Sequence, residues 1–225
     1  MVKLKESGLI KHWSYSRWKK YKDCPARFKF SVIDRIPEPQ SKYAARGDQV
    51  HKAAEDYVAR RTDTIDGELS NVADVLKALR KVEAYPEVKM GLTRDWQPTH
   101  YGFKHDMWFG IKIDLVADKG DGTAFVADWK TGKIRDDYEL QVEIGALPVL
   151  IRWPAFERVE TTIYFTDHGE QTDPVTIERT QLPELIERWE DRVAPMFHDK
   201  KFLPTPGDGC YWCPHSKKKG GPCRY

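Results

Sequence analysis

The sequence predicts an α/β fold in a single domain with a helical N-terminal part, and three observations carry that prediction. Residues 41–61 and 182–198 space their apolar side chains at helical intervals. Residues 108–130 read as two strands, "WFGIKIDLVA" and "TAFVADWK", around the turn "DKGDG". Beyond residue 204 the chain turns to Pro, Gly, Lys and Cys and loses apolar periodicity. The order of helices, strands, helix, strand, helix and tail fits one layered α/β unit.

Each element has a local reason. Ser14 is a helix N-cap, and Trp18 and Tyr21 share a face of the helix that ends near Cys24-Pro25. The 41–61 helix sets Ala44, Val50, Ala54, Tyr57 and Val58 at helical spacings, and residues 72–84 read as a further helix. From about Glu87 to Lys130, short apolar runs alternate with turn residues, which predicts strands. Residues 138–151 read as a helix with Pro148 near its end, and "VETTIYFTD" (159–167) as a strand. Residues 182–198 align Leu185, Ile186, Trp189, Val193 and Phe197 on one side of a helix.

Composition limits the function classes. The chain has 225 residues, 40% hydrophobic and 32% charged, with a formal net charge of +2. No apolar run approaches a membrane span, and the first residues lack the apolar core of a signal peptide, so an intracellular, cytoplasmic protein without a membrane partner is expected. The near-neutral total hides an asymmetry. Lys11 to Lys29 holds seven Lys/Arg and one Asp, and Cys210 to Tyr225 holds four Lys/Arg and no acid. Basic ends of this kind suit a nucleic-acid partner.

The hairpin at 108–130 carries the chemistry. Side chains alternate along a strand, so Asp128 and Lys130 point to one face. A turn centred near Asp121 places residue 114 opposite residue 128, and Asp114 and Asp128 then share that face. Two carboxylates about 5 Å apart repel by roughly 3 kcal/mol at an effective dielectric of about 20. A divalent cation reverses that sign, and carboxylates with waters or phosphate oxygens suit Mg²⁺ or Mn²⁺. Lys130 can stabilise charge on a phosphate or orient an attacking water. Glu87, at the start of a candidate strand, is a further carboxylate for the same place. Glu55, one helical turn after His51, reads as a solvated acid.

The four cysteines are Cys24, Cys210, Cys213 and Cys223. In a reducing compartment disulfides are disfavoured, and one C-x-x-C pair with two further thiols suits a metal or cluster. Cys210, Cys213 and Cys223 sit among Gly, Pro and Lys, a poor setting for buried free thiols. Zinc and an iron–sulfur cluster are both compatible with four thiolates.

"GIKIDLVAD…GTAFVADWKTGK" resembles the core of the PD-(D/E)XK nucleases, in their RecB-like branch. "RGDQVHKAAEDYV" (46–58) is similar to that branch's helix with a metal-binding His, which falls on His51. "ELQVEIGAL" (139–147) is similar to the helix after the active strand, with Gln141 at the family glutamine. "SYSRWKKYKDCPARFKF" and "CYWCPHSKKKGGPCRY" resemble the split four-cysteine motif of the iron–sulfur nucleases, among them the CRISPR-adaptation nuclease family and the AddB nuclease domain. The match runs from about Ser14 to the last residue, in the family's order. One position departs: the aromatic usually found four residues after the glutamine is Gly145 here.

The resemblance implies a restriction-endonuclease-like core, a central mixed sheet flanked by helices, with a helical N-terminal part and a C-terminal cluster-binding tail. One nuclease domain over 1–225 is expected: a helical part at 1–85, a nuclease core at 86–203, and a cysteine-rich tail at 204–225 joined to Cys24. It implies a Mg²⁺- or Mn²⁺-dependent DNA exonuclease acting on single-stranded ends, in recombination, repair or CRISPR-type end processing, with a recombination or CRISPR partner protein and a bacterial, archaeal or phage gene. Asp114, Asp128, His51 and the carbonyl of Trp129 would hold the metal, with Lys130 and Gln141 completing the catalytic set. Cys24, Cys210, Cys213 and Cys223 would hold a [4Fe–4S] cluster, with zinc as the alternative. Cys24 lies 186 residues before Cys210, and such a staple stabilises a fold by closing a long loop. It would set the basic N-terminal segment beside Lys217, Lys218 and Lys219, expected to contact DNA, with Trp13, Tyr15, Trp18, Tyr21 and Trp212 interleaved. The competing reading is a non-catalytic nucleic-acid-binding module on a nuclease fold stabilised by an iron–sulfur or zinc site.

Overall fold

A computed structural model describes residues 8–65, 67–102, 106–134 and 138–225. In chain order the helices are α1 (Tyr15–Asp23), α2 (Pro25–Phe28), α3 (Lys42–Val58), α4 (Ala73–Leu79), α5 (Glu139–Arg152), α6 (Leu182–His198) and α7 (Gly209–Trp212). The strands are β1 (Ala84–Leu92), β2 (Pro98–Thr99), β3 (Phe109–Asp118), β4 (Thr123–Lys130), β5 (Arg158–Phe165), β6 (Glu170–Gln171) and β7 (Val175–Glu178). The chain divides into two compact units, Ser41–Leu185 and a second made of Met1–Gln40 with Ile186–Tyr225.

The first unit holds a mixed sheet in the order β2-β1-β3-β4-β5-β6, with β7 also paired to β5. Neighbours are antiparallel except β4 and β5, which run parallel, with α5 as the crossover between them. The sheet is mixed and flanked by helices, as the fold class requires. Period-two alternation sends Leu115, Ala117, Ala127 and Trp129 into a core with Val50, Ala54, Tyr57 and Val58 of α3 and Leu76 and Leu79 of α4. A smaller cluster joins Val142 of α5 to Ile163 and Phe165 of β5, with Tyr138 against it. Gly145 lies buried in α5, where an added Cβ would stand 4.0 Å from Val126 Cγ1.

The second unit gathers both ends of the chain. Ser14 caps α1 by accepting from Arg17 N–H at 3.3 Å. Trp18 meets Trp189 of α6 edge-on with ring centroids 5.2 Å apart, and Trp13 stacks on Trp189 at 5.7 Å. Trp13, Trp18, Trp189, Val193 and Phe197 are buried, so these indoles are core.

The expected helix over 72–84 is shorter than its pattern. A 3₁₀ turn over Gly67–Val72 leads into α4, which stops at Leu79. Leu76 and Leu79 are its last buried anchors, and Ala84 and Tyr85 already pair with Ala117 and Val116 as β1. Of the described residues, no helix is long and apolar enough to cross a membrane.

Candidate active site

The β3–β4 ladder pairs Leu115 with Ala127, Val116 with Val126 and Ala117 with Phe125. Continued by one step, that register sets Asp114 opposite Asp128. There the ladder opens: the next amide, Trp129 N–H, donates to Asp114 Oδ2 at 3.0 Å. The Lys130 carbonyl accepts from Thr166 N–H at 2.9 Å on the β5 side, so alternation directs the Trp129 carbonyl to the β3 side, beside Asp114.

Five expected side chains meet at this opening. His51 of α3 lies with Nδ1 2.9 Å from Asp114 Oδ1. Gln141 of α5 donates from Nε2 to Asp128 Oδ1 at 2.8 Å. Lys130 Nζ pairs with Asp128 Oδ2 at 2.5 Å. Withdrawal from water pushes the Asp128 carboxyl up, and Asp114 adds to that while Lys130 opposes it. Burial alone would lower Lys130 and His51. Asp128 outweighs it for Lys130, and Asp114 for His51, so both bases stand above their ordinary values. The site therefore concentrates negative charge where two strands part, with one ammonium set against it.

Three further residues belong to the neighbourhood. Glu87 falls between the pairs Pro86–Leu115 and Val88–Ile113, hence opposite Asp114, and adopts φ +54°. A glutamate in that region is strained, and such residues cluster at functional sites. Its Oε1 pairs with Lys112 at 2.5 Å, while its Oε2 is buried without a hydrogen-bond partner. Tyr138 has its ring centroid 6.0 Å from Lys130 Nζ, so an aromatic stands by the lysine although residue 145 is Gly. Asp167, just beyond β5, accepts from Gly132 N–H at 2.9 Å and from Arg46 of α3 at 2.7 and 2.8 Å. His168 Nε2 lies 2.9 Å from the Gly132 carbonyl. The corner after Lys130 is thus tied to the helix that carries His51. Local sequence held no signal for it, because Asp167 lies 121 residues from Arg46. Glu55 pairs with Arg61 and Lys52, as a surface acid does.

The cysteines lie in the other unit, all half-buried and free of disulfides. Cys24 Sγ accepts from Thr205 N–H at 3.5 Å, which brings the tail to the end of α1. Arg27 is held up chiefly by Glu38, against the pull of burial, and Cys213 adds to that. Among the described residues no three His, Cys, Asp or Glu side chains form a ready metal cage. The donor chemistry nonetheless fits at both places: oxygen and imidazole donors suit a hard divalent ion, and four thiols suit iron–sulfur or zinc. Lys217, Lys218 and Lys219 form a 3₁₀ turn in the tail.

No curated protein sequence matches this chain significantly. Among solved structures, the protein SSO0001 is similar at 13% identity and a TM-score of 0.42, over 90% of this chain and 83% of that one. A protein from Eubacterium rectale named "Putative exonuclease" is similar at 12% identity and a TM-score of 0.50, over 91% and 88%; at that identity the likeness concerns the fold. The sequence profile of the PD-(D/E)XK nuclease superfamily matches residues 12–217. With nine-tenths of its length matched, the chain belongs to the PD-(D/E)XK nuclease superfamily.

Proposed function

We propose that this chain is a metal-dependent DNA exonuclease with a preference for single-stranded ends, serving recombination, repair or CRISPR-type end processing in the cytoplasm. The observation that carries the reading is the meeting of Asp114, Asp128, Lys130, His51 and Gln141 where β3 and β4 part. Asp114, Asp128, His51 and the Trp129 carbonyl would hold Mg²⁺ or Mn²⁺, which supplies an acidified water and a Lewis acid for phosphodiester hydrolysis.

The chain's own residues do the rest. Gln141 fixes the rotamer of Asp128 through its amide, and Trp129 N–H fixes Asp114. Their orientation is set before substrate arrives. Lys130 carries the positive charge that meets developing charge on phosphate oxygens, and in the free protein Asp128 holds it in place. His51 steadies Asp114 from the opposite side. Cys24, Cys210, Cys213 and Cys223 bind a [4Fe–4S] cluster, with zinc as the competing occupant, in a structural role. Lys217, Lys218 and Lys219 contact the DNA backbone.

The test uses protein purified without oxygen and end-labelled single- and double-stranded DNA with Mg²⁺ or Mn²⁺. Parent protein is expected to shorten DNA from its ends, single strands faster. Asp128→Ala is expected to lose at least about 100-fold in rate with an unchanged melting temperature and iron content. Cleavage equal to the parent's would refute the assignment, and zinc without iron would reassign the cysteine site.

A further inference from the structure

Among the described residues, Trp212 alone of the eight tryptophans is exposed, at 75%. Tyr211 beside it is 57% exposed. Single exposed apolar residues are ordinary on a protein surface. Here the surroundings make the difference. The two rings meet edge-on with centroids 4.7 Å apart. Lys218 Nζ sits 4.5 Å from the Tyr211 ring centroid. Lys219 Nζ donates to the Trp212 carbonyl at 3.1 Å, which binds the lysine turn to α7. Lys217 N–H donates to the Tyr225 carbonyl at 2.6 Å, and the Arg224 guanidinium covers the Tyr225 ring at 4.9 Å. Residues 209–225 contain no Asp or Glu, and the nearest acid in sequence is Asp208 at the start of α7. Glu38, which reaches this unit's tail through His215, is already shared with Lys20 and Arg27.

We propose that Trp212 and Tyr211, set among Lys217, Lys218, Lys219 and Arg224, form a stacking platform for the unpaired bases of single-stranded DNA. A surplus of cations suits a polyanion, and an open indole face suits a base that has left its own stack. In a duplex the base faces are covered, so the rings discriminate where the lysines do not. Lys218 occupies Tyr211, which leaves Trp212 as the principal ring. The inference deepens the reading of the chain as a DNA-acting protein, but it concerns binding and stands apart from hydrolysis.

The test reads anisotropy of a labelled oligo-dT 20-mer, and of a duplex of equal length, in an Asp128→Ala background so that binding is measured without cleavage. Adding Trp212→Ala is expected to weaken single-strand binding about ten-fold while leaving the salt dependence and the duplex affinity near the background values. Trp212→Phe is expected to retain binding within about three-fold, because a smaller ring still stacks. Changing Lys217, Lys218 and Lys219 to Ala together is expected to weaken both DNAs and flatten the salt dependence. Trp212→Ala binding within two-fold of background overturns the proposal, as does equal weakening of single strand and duplex. These outcomes leave the nuclease reading intact, which rests on cleavage by protein carrying Asp128.

Discussion

Asp167 reaches none of the expected metal ligands, yet it holds the backbone that follows Lys130. Its carboxylate takes Gly132 N–H and a two-pronged Arg46 guanidinium, and Arg46 sits five residues before His51 on α3. A charge-assisted pair of this shape fixes direction as well as distance. Asp167→Ala is expected to lower kcat about 10- to 100-fold with KM little changed, because Lys130 loses its registration and the substrate surface does not. Steady-state cleavage far below the melting temperature checks this, and Asp167→Asn, which keeps an acceptor for Gly132, should recover part of the loss. A raised KM at constant kcat would show that Asp167 bears on binding instead. Asp128 and Lys130 were legible because polar residues at alternate positions interrupt an apolar strand. Asp167 was not, because its role exists only once β5 lies parallel to β4.

The hairpin and α6 show what patterns can deliver for whole elements. The short turn between Asp118 and Thr123 sets the β3–β4 register, and the stripe from Leu185 to Phe197 gives α6 its bounds. β6 and β7 have no sequence signal, because edge strands of two and four residues, mostly exposed, have no alternation to read. The positive φ of Glu87 has no sequence signal either, since nothing local marks a glutamate for that conformation. The join between α1, α2 and the tail rests on Glu38, whose carboxylate meets Lys20 at 3.0 Å, Arg27 at 3.2 Å and His215 at 3.1 Å. Burial opposes its ionisation, but Arg27 and Lys20 outweigh burial and hold the carboxyl down at about 2, against 4.5 ordinarily. An acid so depressed stabilises the fold above its unfolded value and loses that contribution as pH falls from about 4.5 towards 2. Glu38→Gln is expected to cost about 2 kcal/mol at neutral pH, and the gap to the parent should close with acid. A gap that stays constant down to pH 2 in thermal melts would contradict this. Gly221 offers a second check, because an added Cβ would stand 2.3 Å from the His215 carbonyl carbon and oxygen. Gly221→Ala should destabilise the tail by about 1–3 kcal/mol.

Across the molecule, the converging acids and the chain ends fall in different units. Ser41–Leu185 carries the sheet and the converging acids, while the second unit collects residues 1–40, the tail and all four cysteines. A cluster or metal held by Cys24 with the tail thiols closes a loop of nearly the whole chain, and such closure is worth several kcal/mol in the chain-entropy account. Cys24→Ser is expected to release the cofactor, seen as lost iron or zinc, and to lower the melting temperature. An unchanged melting temperature after cofactor loss would remove the staple role. The family core was legible because the motifs occur in order along one chain. The division into two units was hidden, because it depends on which distant segments pack together.

The central claim is that the acids at the opening of β3 and β4 work with Lys130 in chemistry. The most direct measurement is the single-turnover cleavage rate of end-labelled single-stranded DNA at saturating enzyme, with Mn²⁺, for parent and Lys130→Ala. Saturation removes binding from the comparison. The expected result is a fall of at least about 100-fold in rate with the dissociation constant within a few-fold of the parent's. A parental rate at saturation, with only the affinity reduced, would contradict the claim and make Lys130 a binding residue.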